Sequence, residues 1–153
     1  MENNSIAIFY GTETGNSRFV ARALADEALK RGIAAGVEDI VNITAGRLAE
    51  EKRPVVVVIS TWNRGRPPYY SRRFFEELEK GAVRMDGLRF AVIALGDENY
   101  EMFCQCGRDI DAALEKLGGM RFAARTELGA RFRERTPDAV GAVLDALVRI
   151  AAD

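Results

Sequence analysis

Three short apolar runs constrain the fold of this chain more than any other feature of its sequence. They are "SIAIFY" (5–10), "PVVVVIS" (54–60) and "RFAVIAL" (89–95), and each is nearly continuous instead of alternating with polar residues. Continuous apolar runs of this length are typical of strands buried on both faces, as in a parallel sheet with helices on either side. The runs therefore predict an α/β protein.

Helical patterns lie between and after these runs. The segments "SRFVARALADEALKRG" (17–32), "SRRFFEELEKG" (71–81) and "CGRDIDAALEKLGG" (106–119) carry apolar residues at helical spacing and end at glycines, which suit helix C-termini. In the first segment, the predicted apolar face consists of Phe19, Val20, Ala23, Leu24 and Ala28. The last helix is predicted to begin with Thr136 as N-cap and Pro137 at its first helical position.

Two weaker strand patterns complete the alternation of strands and helices. They are "AAGVEDI" (34–40) and "MRFAARTE" (120–127), and residues 127–135 are interpreted as a polar connector. Five strands alternating with helices predict one three-layer α/β sandwich. Because 153 residues are enough for one sizeable core, residues 1–153 are predicted to form a single domain.

The composition excludes several classes of function. The 22 basic and 23 acidic side chains nearly cancel, so the overall charge favours no polyanionic partner. The chain has no histidine, which excludes catalytic sites of the Ser-His-Asp or Cys-His type. Its two cysteines, Cys104 and Cys106, cannot complete a tetrahedral zinc site, and we expect them to be reduced structural thiols.

Two kinds of targeting segment do not occur in the sequence. The N-terminus has neither the basic start nor the long apolar stretch of a signal peptide. No apolar run approaches the ~20 residues needed to cross a bilayer. We therefore expect a cytoplasmic protein with no membrane partner.

Polar segments that directly follow the three apolar runs are the candidate binding elements. Ligands of parallel α/β sheets bind beyond the carboxyl ends of the strands, where the strand order reverses. We name these segments loop 1, "GTETGNS" (11–17), loop 2, "STWNRGRPPYY" (60–70), and loop 3, "LGDENYEMFC" (95–104). A binding site is predicted where the three loops meet.

Loop 1 has the composition of a phosphate-binding turn. Its hydroxyls, amide and glycines precede a predicted helix, where free N–H groups and the helix dipole attract an anion. The predicted phosphate-binding residues are Thr12, Glu13, Thr14, Gly15, Asn16 and Ser17. A Walker loop is excluded because Asn16 occupies the position of its lysine. Plain N-capping by Asn16 or Ser17 would not require the Thr-x-Thr-Gly that comes before.

Loop 2 interleaves aromatic and basic side chains, and its residues alone leave three interpretations open. Bases stack on rings and phosphates pair with arginine, so such a loop suits single-stranded nucleic acid. It also suits a lid over a planar cofactor, or an ordinary solvated turn. In loop 3, Tyr100 is expected to face the cleft, whereas Phe103 fits the core as well as the site.

Taken in order, "TETGNS … STWNRGRPP … LGDENYEMFC" resembles the flavodoxin family. The similarity is greatest to the branch of MioC-type flavodoxins and of the FMN domains of sulfite reductase and cytochrome P450 reductase, and it spans essentially the whole chain. It implies a flavodoxin-like five-stranded parallel sheet in the order 2-1-3-4-5, with FMN as cofactor. It further implies an electron carrier between a separate reductase and an acceptor, rather than an enzyme with its own substrate.

The resemblance also implies where FMN binds. The phosphate would lie in Thr12–Ser17, and the isoalloxazine ring would lie between loops 2 and 3, stacked by Trp62 and Tyr100. The residues implied to line the ring and the ribityl chain are Ser60, Thr61, Trp62, Asn63, Arg64, Gly65, Leu95, Gly96, Asp97, Asn99, Tyr100, Phe103 and Cys104.

Loop 2 departs from the family pattern in its charge. Many relatives carry glycine at the position of Asn63 and an acidic residue near Arg64 or Arg66. Guanidinium groups near the ring would favour the anionic, fully reduced flavin. A rim of Arg64, Arg66, Tyr69 and Tyr70 is expected to dock redox partner proteins that carry an acidic patch.

Two other functions stay open at the level of sequence. An FMN-free flavodoxin-like module would use loop 2 to bind a protein or a nucleic acid, although the intact "TETGNS" argues against it and nucleic acid is the less expected partner. A flavin oxidoreductase would act on a small acceptor such as a quinone, but no nicotinamide motif is found. The chain is expected to be a monomer.

Overall fold

The computed structural model describes residues 4–12, 14–61 and 67–152. Its strands are β1 Ser5–Gly11, β2 Ala34–Asp39, β3 Val55–Ser60, β4 Arg89–Leu95, β5 Met120–Arg121 and β6 Thr126–Leu128. Its α-helices are α1 Asn16–Lys30, α2 Ala45–Ala49, α3 Arg72–Lys80, α4 Gln105–Lys116 and α5 Phe132–Ala152. Two short 3₁₀ helices, Ile40–Asn42 and Tyr69–Ser71, precede α2 and α3.

The strands form one parallel sheet in the order β2-β1-β3-β4-β5. Val56 of β3 lies opposite Ile8 of β1 on one side and Ala91 of β4 on the other. The sequence-based predictions of an α/β sandwich and of this strand order are confirmed. All strands of a parallel sheet end at the same edge, so the segments after β1, β3 and β4 emerge together.

The central strands are buried on both faces, which explains their continuous apolar runs. In β1, Ile6 and Ile8 pack with α1 and α5, whereas Ala7 and Phe9 pack with α3 and α4 on the opposite side of the sheet. Alternate residues of β3 and β4 divide between the same two clusters. Each strand therefore contributes to two cores, and no position along it favours a polar side chain.

The fifth strand is divided, contrary to the single strand predicted over 120–127. Two short strands, β5 and β6, both pair with β4, and residues 122–125 separate them. Arg125 in this interruption bonds to carboxylates of α4 and β6 instead of continuing the ladder. Side-chain ion pairing across the sheet edge thus replaces strand pairing here.

The last helix begins one turn earlier than predicted. α5 starts at Phe132, and Thr136 lies inside it, where Oγ1 donates to the Phe132 carbonyl at 2.7 Å instead of capping the helix. Phe132 is buried and its ring contacts Phe19 of α1, with centroids 5.9 Å apart. This packing draws part of the predicted polar connector 127–135 into the helix, and Pro137 consequently lies within α5.

Two further differences concern α1 and α2. Phe19, which was predicted to be buried, is 42% exposed, because α1 turns Val20, Ala21 and Leu24 toward the sheet instead. The short helix α2 was not predicted; Thr44 precedes it and accepts a hydrogen bond from the Arg47 amide at 3.1 Å.

Across residues 4–12, 14–61 and 67–152, no helix has both the length and the apolar content that a membrane span requires.

Candidate functional site

Loops 1, 2 and 3 follow β1, β3 and β4, which are neighbours in the sheet. At the end of this ladder, Gly11 lies opposite Ile59, and Ser60 lies opposite Leu95. The topology therefore brings the three predicted binding segments to one edge of the sheet. Strand β2 lies on one side of β1, and β3 and β4 lie on the other. The strand order therefore reverses at β1, next to these loops.

Loop 1 is shaped by a turn that leads directly into α1. The Gly15 amide donates to Thr12 Oγ1 at 2.9 Å, which closes the turn. Gly15 has φ of +92°, a conformation that glycine adopts without strain, and the space where a Cβ would lie is open. No side chain among the described residues caps α1. The first-turn amides of this helix are therefore available to an anion.

A pair of hydroxyls joins loop 1 to loop 2. Ser17 is fully buried in the first turn of α1, and its Oγ lies 2.5 Å from Oγ of Ser60 at the end of β3. Two neutral hydroxyls from segments 43 residues apart thus converge beside the helix N-terminus. Loop 1 itself contains no basic side chain. Its one charged side chain is Glu13 and its donors are uncharged, which suits a phosphate held without lysine or arginine.

Thr61 joins loop 2 to loop 3. Its amide donates to the Leu95 carbonyl at 2.9 Å, and its Oγ1 accepts from the Cys106 amide at 2.8 Å. The carbonyl of Leu95 is therefore engaged within the protein, and the Leu95 side chain is buried in the core. Neither the carbonyl nor the side chain of Leu95 therefore faces open space at the site.

Loop 3 is a closed loop with a narrow base. A Cβ on Gly96 would lie 2.6 Å from the Cys104 amide nitrogen, so only glycine permits this approach. Asp97 shapes the turn, because its Oδ1 accepts from the Asn99 amide at 2.9 Å and its carbonyl accepts from the Tyr100 amide at 3.1 Å. The Tyr100 ring at the tip is 71% exposed, as expected for a ring that contacts a ligand.

Glu98 is a loop 3 residue whose role the sequence did not reveal. Its Oε1 accepts from the Ala130 amide at 3.0 Å, and Gly129 has no room for a Cβ beside this carboxylate. Glu98 thus anchors loop 3 to the segment between β6 and α5. Only a contact 32 residues away in sequence identifies this role, so no local pattern signals it.

Phe103 and Cys104 lie at the end of loop 3 but differ in access. Phe103 is half-buried beneath the Arg108 guanidinium, whose carbon lies 5.9 Å from the ring centroid. Cys104 is fully buried with φ of +55°, and its Sγ is directed at the carbonyls of Ala94 and Leu128. Burial raises the pKa of the Cys104 thiol to about 12, so it stays protonated near neutral pH. Cys104 and Cys106 form no disulfide, and Cys104 is suited to packing rather than thiol chemistry.

Charged residues behind loop 3 form a continuous ion-pair network, here called the α4–β6 network. Its members alternate in charge and are Arg108, Glu127, Arg125, Asp111, Arg121 and Glu115. The two guanidinium groups that bond Glu127, first Arg108 and then Arg125, lower the pKa of its carboxyl to about 2. This carboxylate is therefore ionised throughout the physiological range.

Two exposed tyrosines follow loop 2's central residues. Tyr69 and Tyr70 contact each other edge-to-face with centroids 5.1 Å apart, and Arg72 lies over the Tyr69 ring at 5.1 Å. Tyr69 is 59% and Tyr70 67% exposed. The predicted site residues Glu13, Trp62, Asn63, Arg64 and Gly65, and the rim residue Arg66, lie outside the described residues.

The fold defines a doubly wound α/β protein, and the three loops predicted to bind a ligand lie at the carboxyl edge of its parallel sheet. A family model described as Flavodoxin matches residues 8–140. The chain belongs to the flavodoxin family. This membership confirms the family predicted from the three loops, and FMN binding and electron transfer are the properties of that family.

Curated relatives include much longer proteins. The sulfite reductase [NADPH] flavoprotein alpha-component of Aliivibrio fischeri is 40% identical over 124 residues, which are 80% of this chain and 20% of that protein. The Bacillus subtilis protein of the same name is 31% identical over 146 residues, 95% of this chain and 24% of the relative. This chain thus spans about a fifth to a quarter of the length of these relatives.

Solved structures show the same fold at lower sequence identity. A flavodoxin of Streptococcus pneumoniae TIGR4 superposes with a TM-score of 0.77 at 21% identity, covering 92% of this chain and 98% of that one. A short-chain flavodoxin associated with a PDU bacterial microcompartment superposes with a TM-score of 0.78 at 22% identity, covering 96% and 98%. The fold thus accounts for nearly the whole of each chain.

Proposed function

We propose that this chain binds FMN at the edge formed by loops 1, 2 and 3 and carries electrons between a separate reductase and an acceptor. The observation that carries the proposal is that the hydroxyls of Ser17 and Ser60 meet beside the uncapped N-terminus of α1. When bound, FMN supplies the redox chemistry, and the protein supplies its placement and surrounding charge.

The phosphate end of the site would consist of loop 1 and Ser60. Thr12 Oγ1 accepts from Gly15 within the turn and keeps its own O–H to donate. The other predicted donors are the hydroxyl of Thr14, the amides of the first turn of α1, and whichever hydroxyl of the Ser17–Ser60 pair accepts the hydrogen bond between them and so keeps its own O–H. A dianionic phosphate is favoured there by the positive end of the helix dipole.

The ring end of the site would lie between loops 2 and 3. Tyr100 presents an exposed ring that suits stacking on one face of the flavin, and Trp62 is proposed for the other face. Main-chain groups of Thr61, Gly96 and Asn99 are proposed to contact the ring edge and the ribityl chain; their amides already donate within the protein, so their carbonyls would make these contacts. Leu95 and Cys104 would shape this pocket from beneath, since both are buried.

Partner proteins are proposed to dock on the rim that loop 2 forms with Arg64, Arg66, Tyr69 and Tyr70. Tyrosine and arginine are enriched where protein interfaces gain most of their binding energy. Tyr69 and Tyr70 are exposed, and the guanidinium of Arg72 lies over the Tyr69 ring. A partner with an acidic surface could contact these rings and pair with this positive charge. Arg64 and Arg66 are proposed to extend the same surface. The whole-protein reaction of the sulfite reductase relatives suggests a reductase as one such partner.

Titration of the ligand-free protein with FMN tests the proposal. We expect one FMN per chain, with quenched flavin fluorescence, and weaker binding of riboflavin, which lacks the phosphate. Ser17→Ala should weaken FMN binding by about fivefold, the effect of one lost hydrogen bond, and leave riboflavin binding unchanged. Failure to bind either flavin would remove the redox function. Equal affinity for FMN and riboflavin would contradict the proposed phosphate pocket.

A further inference from the structure

We propose that Thr61 is a positioning residue that locks loop 2 onto loop 3 and so sets how tightly the flavin ring is held. The inference rests on the proposed function, and it assigns to the Thr61 hydroxyl a role distinct from the main-chain contact expected there. Its basis is a helix cap supplied from another part of the chain.

Helix α4 has no cap of its own among the described residues. Cys104 occupies the N-cap position with φ of +55°, and its side chain makes no capping hydrogen bond. Its Sγ points instead to the carbonyls of Ala94 and Leu128, at 3.5 and 3.7 Å. Thr61 Oγ1 accepts from the Cys106 amide, in the first turn of α4, from 45 residues away in sequence. The usual local cap is thereby replaced by a residue of loop 2.

Thr61 contacts both ends of loop 3. Its amide bonds to Leu95, where loop 3 starts, and its hydroxyl bonds to Cys106, two residues beyond the end of loop 3. The same base is narrow enough that Gly96 tolerates no Cβ against Cys104. Thr61 therefore spans the closed base of loop 3, and its two bonds fix the position of Thr61 itself relative to that base.

Ser60, the residue before Thr61, contacts the opposite end of the proposed site. Ser60 bonds to Ser17 at the phosphate end, whereas Thr61 bonds to α4 at the ring end. Two adjacent residues thus connect β3 to different halves of the site. Replacing Ser60 is expected to affect phosphate binding, and replacing Thr61 is expected to affect ring binding.

The experiment measures binding of FMN, riboflavin and inorganic phosphate to the wild type, Thr61→Val, Thr61→Ser and Ser60→Ala. Thr61→Val should raise the dissociation constants of FMN and riboflavin by the same factor, about five- to tenfold, the effect of one lost cap. Its affinity for phosphate should stay within about twofold of the wild type. Thr61→Ser keeps the hydroxyl and should restore flavin binding. Ser60→Ala should weaken FMN and phosphate binding and leave riboflavin unchanged.

Amide hydrogen exchange of ligand-free protein provides a readout that needs no flavin. The Cys106 amide should exchange faster in Thr61→Val and in Thr61→Ala, a second variant without the hydroxyl, than in Thr61→Ser. If the Cys106 amide of Thr61→Val exchanges faster but flavin affinity is unchanged, Thr61 acts only as a helix cap, and the inference is overturned. An equal loss of phosphate and riboflavin affinity in Thr61→Val would also overturn it, because it would indicate general disruption. If the wild type binds no flavin, the proposed function fails first.

Discussion

Arginines serve different purposes at two places in this molecule. In the α4–β6 network, Arg108, Arg121 and Arg125 each donate to at least one carboxylate at 2.5 to 3.0 Å. At the start of α3, Arg72 and Arg73 form no ion pair within the described part of the chain. Positive charge at a helix N-terminus also opposes the helix dipole, and no acidic residue occupies that first turn.

The difference separates charge that stabilises the fold from charge that is available for recognition. The α4–β6 network joins α4 to β6 and to Arg121 and Arg125, which lie in or beside the interruption of the fifth strand. Arg72 and Arg73 contribute nothing of this kind, yet they stand beside the exposed Tyr69 and Tyr70. We therefore expect substitutions in the network to change stability and substitutions at the start of α3 to change interaction with charged partners.

The largest expected effect is that of Asp111→Asn. Asp111 is only 3% exposed and accepts from Arg121 at 2.7 Å and from Arg125 at 2.5 Å. Removing its charge leaves two guanidinium groups beside a neutral amide, which should lower the free energy of unfolding by about 3 kcal/mol. Urea unfolding followed by circular dichroism measures the loss.

Asp86→Asn is the matched control for Asp111→Asn. Asp86 also pairs with an arginine, Arg84 at 2.9 Å, but both side chains are well exposed. Solvent screens such a pair, so the urea midpoint should change little. Equal shifts for the two variants would show that the α4–β6 network is no more important to stability than a surface pair.

Glu127 supplies a smaller effect that depends on pH. Its pKa is about 2 in the folded protein against an ordinary 4.5, so its ionised form stabilises the fold above about pH 4.5. This contribution is lost as pH falls through 4.5 toward 2. Glu127→Gln should therefore cost about 1–2 kcal/mol at pH 7, allowing for solvent screening, and the difference from wild type should vanish near pH 2.

Thermal unfolding at a series of pH values measures the Glu127 effect. Glu79→Gln, which replaces an exposed carboxylate outside the network, should show no such convergence with the wild type. A stability difference for Glu127→Gln that stays constant from pH 7 to pH 2 would mean that the carboxylate does not titrate as the geometry requires.

Most of the fold could be predicted because its signals are local. The apolar runs of β1, β3 and β4 report burial on both faces, and each helical pattern reports one packed face. Two of the failures occurred where distant groups decide the local structure, whereas α2 was missed although its cap, Thr44, is local. Arg125 interrupts the fifth strand to reach Asp111 and Glu127, and Phe132 enters α5 because it packs on Phe19.

The site shows the same division between local and distant causes. The sequence predicted loop 1 to be an anion-binding turn from Thr12, Gly15 and the helix that follows, and its turn and uncapped helix start fit that prediction. The capping role of Thr61 and the anchoring role of Glu98 could not be predicted, because their partners lie 45 and 32 residues away. Residue types predicted which segments meet at this edge of the sheet, whereas the contacts that hold the segments together required the structure.

The smallest expected effect on stability, and the sharpest test of the comparison, is that of the double variant Arg72→Glu and Arg73→Glu. The two new carboxylates should be stabilised by the helix dipole and destabilised by repulsion from Glu76 and Glu77, one turn along α3. Because these effects oppose each other, the free energy of unfolding should change by less than about 1 kcal/mol. Interaction with charged reagents should change more. With FMN bound and reduced, oxidation by the anion ferricyanide should slow several-fold at 0.1 M salt, and oxidation by a cationic cobalt(III) complex should accelerate.

Stopped-flow absorbance measures both oxidation rates. A second double charge reversal, placed elsewhere on the surface, tests whether the location of the charges matters. Lys52→Glu with Arg149→Glu changes the net charge by the same amount, but both side chains are exposed at the opposite end of the molecule, before β3 and in the last turn of α5. This control should alter the rates much less, since surface charges beyond about 10 Å are screened at 0.1 M salt. Equal changes for both double variants would mean that net charge alone governs the rates and that the start of α3 has no role in recognition.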